Sequence, residues 1–401
     1  MSGLRAADAN NPLTLPEAMR EAQTRNPQML ALEAAVTAAK GAVVSAKTWA
    51  NPELTVEPGV RRALEDRSFV TGFNGVLAIN QTFKFPGKRT LEIAIAQTDV
   101  KQRQVAIEAF RFQMGARVSR AFYEMLAAQK IVEARKEQVA SAGVFVESAK
   151  KRAESGYTGD FETIKSEAEL IGAKSALREA EGRVMKARIT LNTLLARSPS
   201  APLTLAGSLD NLTPRGNLGD FVGLAMARNP ALKALDIEAE KAGLSVRMTR
   251  LGKLPDFSVG PNVEYYVDEQ IFSISASVAL PVWDQKKGEI QTATAQQQQT
   301  LAEIRRLRLE IAGGVTGAAA NLGVARDQLG LYSPAFLEKM RAFVKQAEEG
   351  YAQSATTLII YLEAKKTYFE TLTNYYEALG RVAESRAELE SSIGVPLDLK
   401  P

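Results

Sequence analysis

The stretch DFSVGPNVEYYVDEQIFSISASVALPVWD (256–284) decides the fold. From Phe257 the residues alternate, with Phe257, Val259, Val263, Tyr265 and Val267 on one side and Ser258, Gly260, Asn262, Glu264 and Asp268 on the other. The return leg sets Phe272, Ile274, Ala276, Val278 and Leu280 against Ser273, Ser275 and Ser277. A period of two belongs to a strand with one apolar and one polar face, so the stretch predicts a hairpin over 257–267 and 271–280. Each leg has the length of a tilted strand crossing a bilayer, about ten residues. Apolar-out, polar-in alternation is the pattern of a membrane barrel. A lone hairpin is marginal in water.

Outward from this hairpin, the chain repeats itself. The segment 13–56 matches 218–259: Asn26-Pro27 pairs with Asn229-Pro230 and Pro52 with Pro255. Each copy opens with a predicted helix and enters an alternating segment. In the first half those segments are about 53–60 and 76–83, with Leu77, Ile79 and Phe83 on one face. Pro86 or Pro281 follows, then a long helical stretch, 88–155 or 287–350, a turn and a last helix, 160–197 or 357–393. The copies are 1–197 and 219–401, joined by SPSAPLTLAGSLDNLTPRGNL (198–218), whose Pro, Gly and Ser mark a connector.

The long stretches carry heptad seams: Val118, Met125, Val132, Val139 and Val146, with Ala121, Ala128, Ala142 and Ala149 three residues after four of them. In the second copy Val315, Leu322, Leu329, Phe336 and Phe343 keep the period, and Pro334 predicts a kink or break. Such seams predict antiparallel coiled-coil packing with close approach at the alanines.

Two hairpins give four strands per chain. A sheet cannot leave open edges in lipid, and closed barrels need about eight strands. Several copies must then share one barrel; arithmetic alone allows a dimer or a trimer. The rival arrangement packs two hairpins on a helical bundle in a soluble protein, and the equivalent placement of both hairpins speaks against it.

Composition removes several function classes. The 401 residues carry 50 basic and 46 acidic side chains, a formal +4 too even to argue for nucleic acid, and the basic residues form no block. Cysteine is absent, so disulfides and thiol chemistry are excluded; histidine is absent too, which removes the commonest base and metal ligand. No catalytic, cofactor or metal site is expected. FPGKRT (85–90) is not a phosphate loop, since Thr82 and Arg89 stand where glycine and Ser/Thr are required. Glu167 and Glu169 read as a solvated helix face. No run of 18 apolar residues occurs, so no membrane-spanning helix is expected. The start, MSGLRAADANNPLTL, lacks a signal-type apolar core and a lipid-bearing cysteine. If the protein is exported, the sequence corresponds to a mature or trimmed form.

The duplicated NP helix, NPEL (51–54), GYTGDFETIKSEAEL (156–170) and YAQSATTLIIYLEAKKTYFETLTNYYEAL (351–379), in this order, resemble the TolC-like outer-membrane efflux channels. The resemblance covers Leu13 to Leu397. It implies a homotrimer with a periplasmic α-barrel of long helices and a shared 12-stranded transmembrane β-barrel. It also implies a Gram-negative outer-membrane location, a passive exit duct, and partners in a periplasmic adaptor, an inner-membrane pump of the resistance-nodulation-division type and outer-membrane lipid. QTFKFPGKR (81–89) resembles the Czc-type heavy-metal branch; drug-efflux or type I secretion channels of the same fold, and a soluble coiled-coil scaffold, are the rivals. By position in that family, Asp160, Glu162, Tyr361 and Glu363 are gate candidates, and Gly156, Tyr157, Ser354, Thr356 and Leu358 are adaptor-contact candidates. Ser354 replaces a usual glycine, and Ile360 stands where some relatives carry a gating aspartate. Phe272, Ile274, Val278 and Leu280 are the lipid-facing strand candidates.

Overall fold

The computed structural model describes residues 12–65, 68–155, 160–209, 218–266, 268–353 and 355–397. Gly156, Tyr157, Val267 and Ser354, and positions 210–217 of the connector, lie outside the described residues.

The first copy runs α1 (Leu15–Arg25), α2 (Pro27–Lys47), β1 (Glu53–Glu65), β2 (Ser68–Phe83), α3 (Lys88–Glu154) and α4 (Asp160–Leu194). The second runs α5 (Leu218–Arg228), α6 (Pro230–Leu251), β3 (Phe257–Tyr265), β4 (Gln270–Val278), α7 (Lys287–Gly330), α8 (Pro334–Ala352) and α9 (Leu358–Ile393). At 1.5 Å per residue, α3 alone is about 100 Å long.

The two NP pairs have local reasons. Pro27 and Pro230 open helices, where the missing N–H costs nothing. Asn26 Oδ1 accepts from the Gln28 N–H at 2.9 Å and caps α2. Asn229 is buried instead, and its Nδ2 donates to the Ser392 and Ile393 carbonyls at the end of α9. Gly394 closes α9 with φ 88°, and an added Cβ would meet Pro230 Cδ at 2.7 Å, so glycine is required by conformation and by space. Leu13 and Leu205 form a parallel bridge that ties the connector to the start of the described chain.

The four strands form one antiparallel sheet in the order β1-β2-β3-β4. The first hairpin exceeds the expected 53–60 and 76–83: pairing runs from Glu53↔Asn80 to Glu65↔Ser68. The second is shorter than expected. Val278 pairs with Phe257, the first residue of β3, so β4 stops there and Leu280 lies beyond the ladder, just before Pro281. Pro261 sits within β3, a strand flanked on both sides, where a missing donor should be costly. There β2 approaches so closely that a Cβ on Gly260 would fall 1.7 Å from the Ile79 carbonyl oxygen.

The first heptad seam packs as read: Val118, Met125 and Val146, and all four alanines, are buried. The second seam holds through Val315 and Leu322 and then fails. The expected long helix 287–350 is two helices, with Ser333 capping α8 through the Phe336 N–H and Pro334 at its first turn. The break resets the helical phase, so Phe336 and Phe343 are 45% and 49% exposed, and Ala347 and Tyr351 are buried instead. One helix also differs from expectation. α2 has an 18-residue window of mean hydropathy 1.4, long and apolar enough by composition to cross a membrane, because alanines interleave its few polar residues.

Compactness does not follow the repeat. One compact unit comprises Met1–Leu30, Glu108–Pro230 and Arg308–Pro401; the other comprises Ala31–Ile107 and Ala231–Leu307. Each draws on both copies, because helices of one copy pair laterally with those of the other.

Candidate functional site

Within the unit that holds the sheet, the register sorts the strand residues onto two faces. Leu54, Val56 and Val60 of β1 lie beside Ile79, Leu77 and Phe73 of β2, and β2 passes the same face to Val263 and Phe257. β4 completes it with Phe272, Ile274 and Val278. This face is uncovered: Val60, Phe272 and Ile274 are 73%, 74% and 79% exposed. A soluble sheet would bury such side chains at about 1.5–3 kcal/mol each, so the face is built for an apolar solvent. Leu280 is exposed as well, in the loop after β4 rather than on the strand.

The opposite face is polar. Thr82 and Ser258 hydroxyls bond at 2.8 Å across β2 and β3, and the Ser275 hydroxyl donates to Asn80 Oδ1 at 3.1 Å. The Tyr266 phenol and Asn262 amide donate to Glu264. Where side chains are described, the charged members of this face are Glu53, Glu57 and Glu264. Among the described residues β1 and β4 have no further strand partner within the chain, so the sheet is a wall segment with two open edges.

In the other unit, the ends of α3, α4, α8 and α9 meet. Gly350 lets the chain turn after α8: its carbonyl accepts from the Ala355 and Thr356 N–H groups, and a Cβ there would meet Thr356 Oγ1 at 2.6 Å. Behind the turn, the Tyr351 and Tyr361 rings stack with centroids 5.6 Å apart, and Phe145 of α3 packs on both at 5.6 and 5.1 Å. Leu358, Leu362, Ala347 and Ala364 fill the rest of this cluster. Arg152 stands over the Tyr351 ring and donates to the Tyr351 and Ala352 carbonyls, holding the C-terminal end of α8.

A buried cation sits at the cluster's edge. Lys365 is 7% exposed and donates to the Tyr361 hydroxyl at 3.0 Å, and that hydroxyl donates to Glu348 at 3.4 Å. Burial lowers the Lys365 ammonium from 10.5 to about 8, against the opposing pull of Glu348 and Glu169. Burial, with Glu348 adding, pushes the Tyr361 phenol well above its ordinary range. Glu169, read from sequence as solvated, lines a small cavity with Gln138, Phe145 and Lys365. Glu167 pairs with Lys150 of α3 at 3.2 Å.

The structure therefore separates the gate candidates. Asp160 and Glu363 are exposed. Glu162 is half-buried and accepts from the Tyr351 hydroxyl at 2.7 Å, tying α4 to α8. Tyr361 is 2% exposed, so it cannot line a constriction; it is a core residue, because the apolar face of α9 turns inward at that position. Leu358 is buried in the same cluster and presents no side chain to a partner, whereas Thr356 is half-buried in the turn. Gly156, Tyr157 and Ser354 belong to the undescribed positions. Sequence reasoning missed Phe145, Tyr351, Glu348 and Lys365. The available signal was Phe145 adjoining the Val146–Ala149 end of the first seam; the lysine gave none. Among the described residues no cluster of acidic side chains has metal-binding geometry.

A family model described as "Outer membrane efflux protein" matches residues 18–197 and 221–395. The chain is 22% identical over 389 residues to the "Cobalt-zinc-cadmium resistance protein CzcC" of Cupriavidus metallidurans, covering 96% of this chain and 91% of that protein. Its fold is similar to the Campylobacter jejuni CmeC outer membrane channel, with a TM-score of 0.77 at 15% identity over 95% of this chain and 85% of the other. A crystal structure of CusC gives a TM-score of 0.78 at 14% identity over 95% and 92% of the two chains.

Proposed function

The chain belongs to the outer membrane efflux protein family, and on that premise we propose that three copies form the exit duct of a heavy-metal-cation efflux assembly. The family's members are passive outer-membrane channels extending into the periplasm, not enzymes, and they work with adaptors and inner-membrane pumps. The observation that carries the reading is the four-stranded wall: an uncovered apolar face, a polar face and two open edges. Open edges cannot remain in lipid, and three such walls give the twelve strands of one closed cylinder.

Two features favour cations as cargo. The polar face carries Glu53, Glu57 and Glu264, and carboxylates repeated around a pore attract cations. The likeness to a cobalt-zinc-cadmium resistance protein points the same way. A resistance-nodulation-division pump would supply the energy and choose the ion. At the tip, Asp160 and Glu363, with Glu162, are the constriction groups, and Gly156, Tyr157, Ser354 and Thr356 meet the adaptor.

The test is metal content in cells with and without the chain, together with planar-bilayer conductance of the purified protein. Raised cellular cobalt, zinc or cadmium on deletion is the expected result. Conductance with unchanged metal content would overturn the cargo and leave a duct for drugs or proteins; absence of conductance would overturn the duct.

A further inference from the structure

The end of the sheet nearest the helices carries an arrangement that neither the wall nor the tip uses. The chain's two tryptophans, Trp49 and Trp283, both lie there, just before β1 and just after β4. The Trp49 ring meets Phe83 edge-on at 5.9 Å, and Phe83 stacks on Phe257 at 5.5 Å. Phe83 and Phe257 are cross-strand partners on the apolar face, so Trp49 extends that face at its lower rim. On the other flank Trp283 is 94% exposed, beside exposed Leu280 and Val282. Indole rings at the limit of an apolar band mark the headgroup level of a bilayer.

Charge gathers at the same level. The Arg89 guanidinium stands 4.0 Å over the Trp49 ring and donates to the Lys47 carbonyl. Its Nε is buried without a hydrogen-bond partner. Lys47 is exposed, and among the described residues it forms no ion pair. Of the carboxylates near this end, Glu92 is taken by Lys84, Asp256 by Lys88 at 2.8 Å, and Asp284 and Glu289 by Lys286, while Glu53 at the start of β1 belongs to the polar face. What remains is positive charge abutting a lipid-facing aromatic row.

We propose that this junction binds the phosphodiester headgroup of an anionic glycerophospholipid in the periplasmic leaflet, with Arg89 and Lys47 taking the phosphate and the Trp49–Phe83–Phe257 row carrying an acyl chain. A guanidinium offers paired donors to phosphate oxygens, and its stack on Trp49 fixes it in place. The proposal rests on the outer-membrane channel reading, which sets the sheet in lipid and its helical end toward the periplasm. It gives the channel a fixed depth through polar contacts that the apolar face alone cannot supply.

The test uses the full trimer carrying Trp283→Phe, which leaves Trp49 as the chain's one tryptophan. The protein is reconstituted into phosphatidylcholine vesicles in which brominated phosphatidylglycerol or brominated phosphatidylcholine is substituted stepwise. Quenching of Trp49 by both, with phosphatidylglycerol bound more tightly, is expected. Lys47→Gln should lower that preference about fivefold, the factor equivalent to about 1 kcal/mol per base near an anionic surface. Arg89→Gln should lower it further. Equal quenching by both lipids, or a preference unmoved by Lys47→Gln, overturns the headgroup site while membrane placement stands. No quenching by either lipid overturns the membrane placement as well.

Discussion

Lys365 makes the packing of the tip depend on pH, with a calculable sign. Its ammonium is buried on the edge of the Phe145–Tyr351–Tyr361 cluster, and burial holds it at about 8 instead of 10.5. Below pH 8 both the packed and the unpacked states keep the proton, and the cost of burying a charge is fully present. As pH rises past 8 the packed lysine loses its proton first, so stability increases until the unpacked state also titrates near 10.5. Tyr361 stays neutral over this range because its phenol is raised. Between pH 7 and 9 the linkage gives about 1.4 kcal/mol, about a tenfold change in local opening. Hydrogen exchange of the amides around 344–365, corrected for intrinsic rates, should show protection rising by about that factor. Lys365→Met keeps the volume, removes the titration and should flatten the profile. A flat profile in the native protein, or an undiminished slope in Lys365→Met, would refute the reasoning.

Other perturbations test other parts. Tyr351→Phe removes the donor to Glu162 and leaves that carboxylate half-buried without it, a loss of about 1.5–3 kcal/mol; Tyr351→Phe and Glu162→Ala should both raise single-channel open probability, and unchanged conductance in both would remove Glu162 from the gate. Glu363→Ala, on an exposed side chain, should alter conductance without changing tip protection by hydrogen exchange. Ile274→Arg, on the apolar face of β4, should cost about 2–4 kcal/mol and block folding into vesicles, whereas Ser275→Arg on the polar face should fold and reduce conductance; equal behaviour of the pair would mean the faces are misassigned. Gly260→Ala places a Cβ 1.7 Å from the Ile79 carbonyl oxygen and should reduce the yield of trimer resistant to detergent, read by gel mobility with and without heating.

The parts legible in sequence are those with a local period. Alternation assigned Phe272, Ile274 and Val278 to the apolar face before any partner strand was known, because a strand's side chains switch faces at every residue whatever lies beside it. Heptad spacing found the buried seam from Val118 to Val146 for the same reason, and a fixed φ made Pro334 a break. The duplication gave element order, and two hairpins gave an unclosable sheet. None of these inferences needed tertiary contacts.

Tertiary structure alone decided what each position meets. The phase reset at 331–333 exposed Phe336 and Phe343 and turned Tyr351 inward. Burial of Tyr361 and Leu358 in the cluster depends on Phe145, more than 200 residues away in sequence, and no pattern within α9 contains that distance. The depressed lysine, the Glu162–Tyr351 tie and the Arg89–Trp49 stack arise likewise from helices and loops brought together by the fold. Periodicity is a property of one segment and survives in the sequence; burial and charge pairing are properties of several segments at once, and exist only after those segments have met.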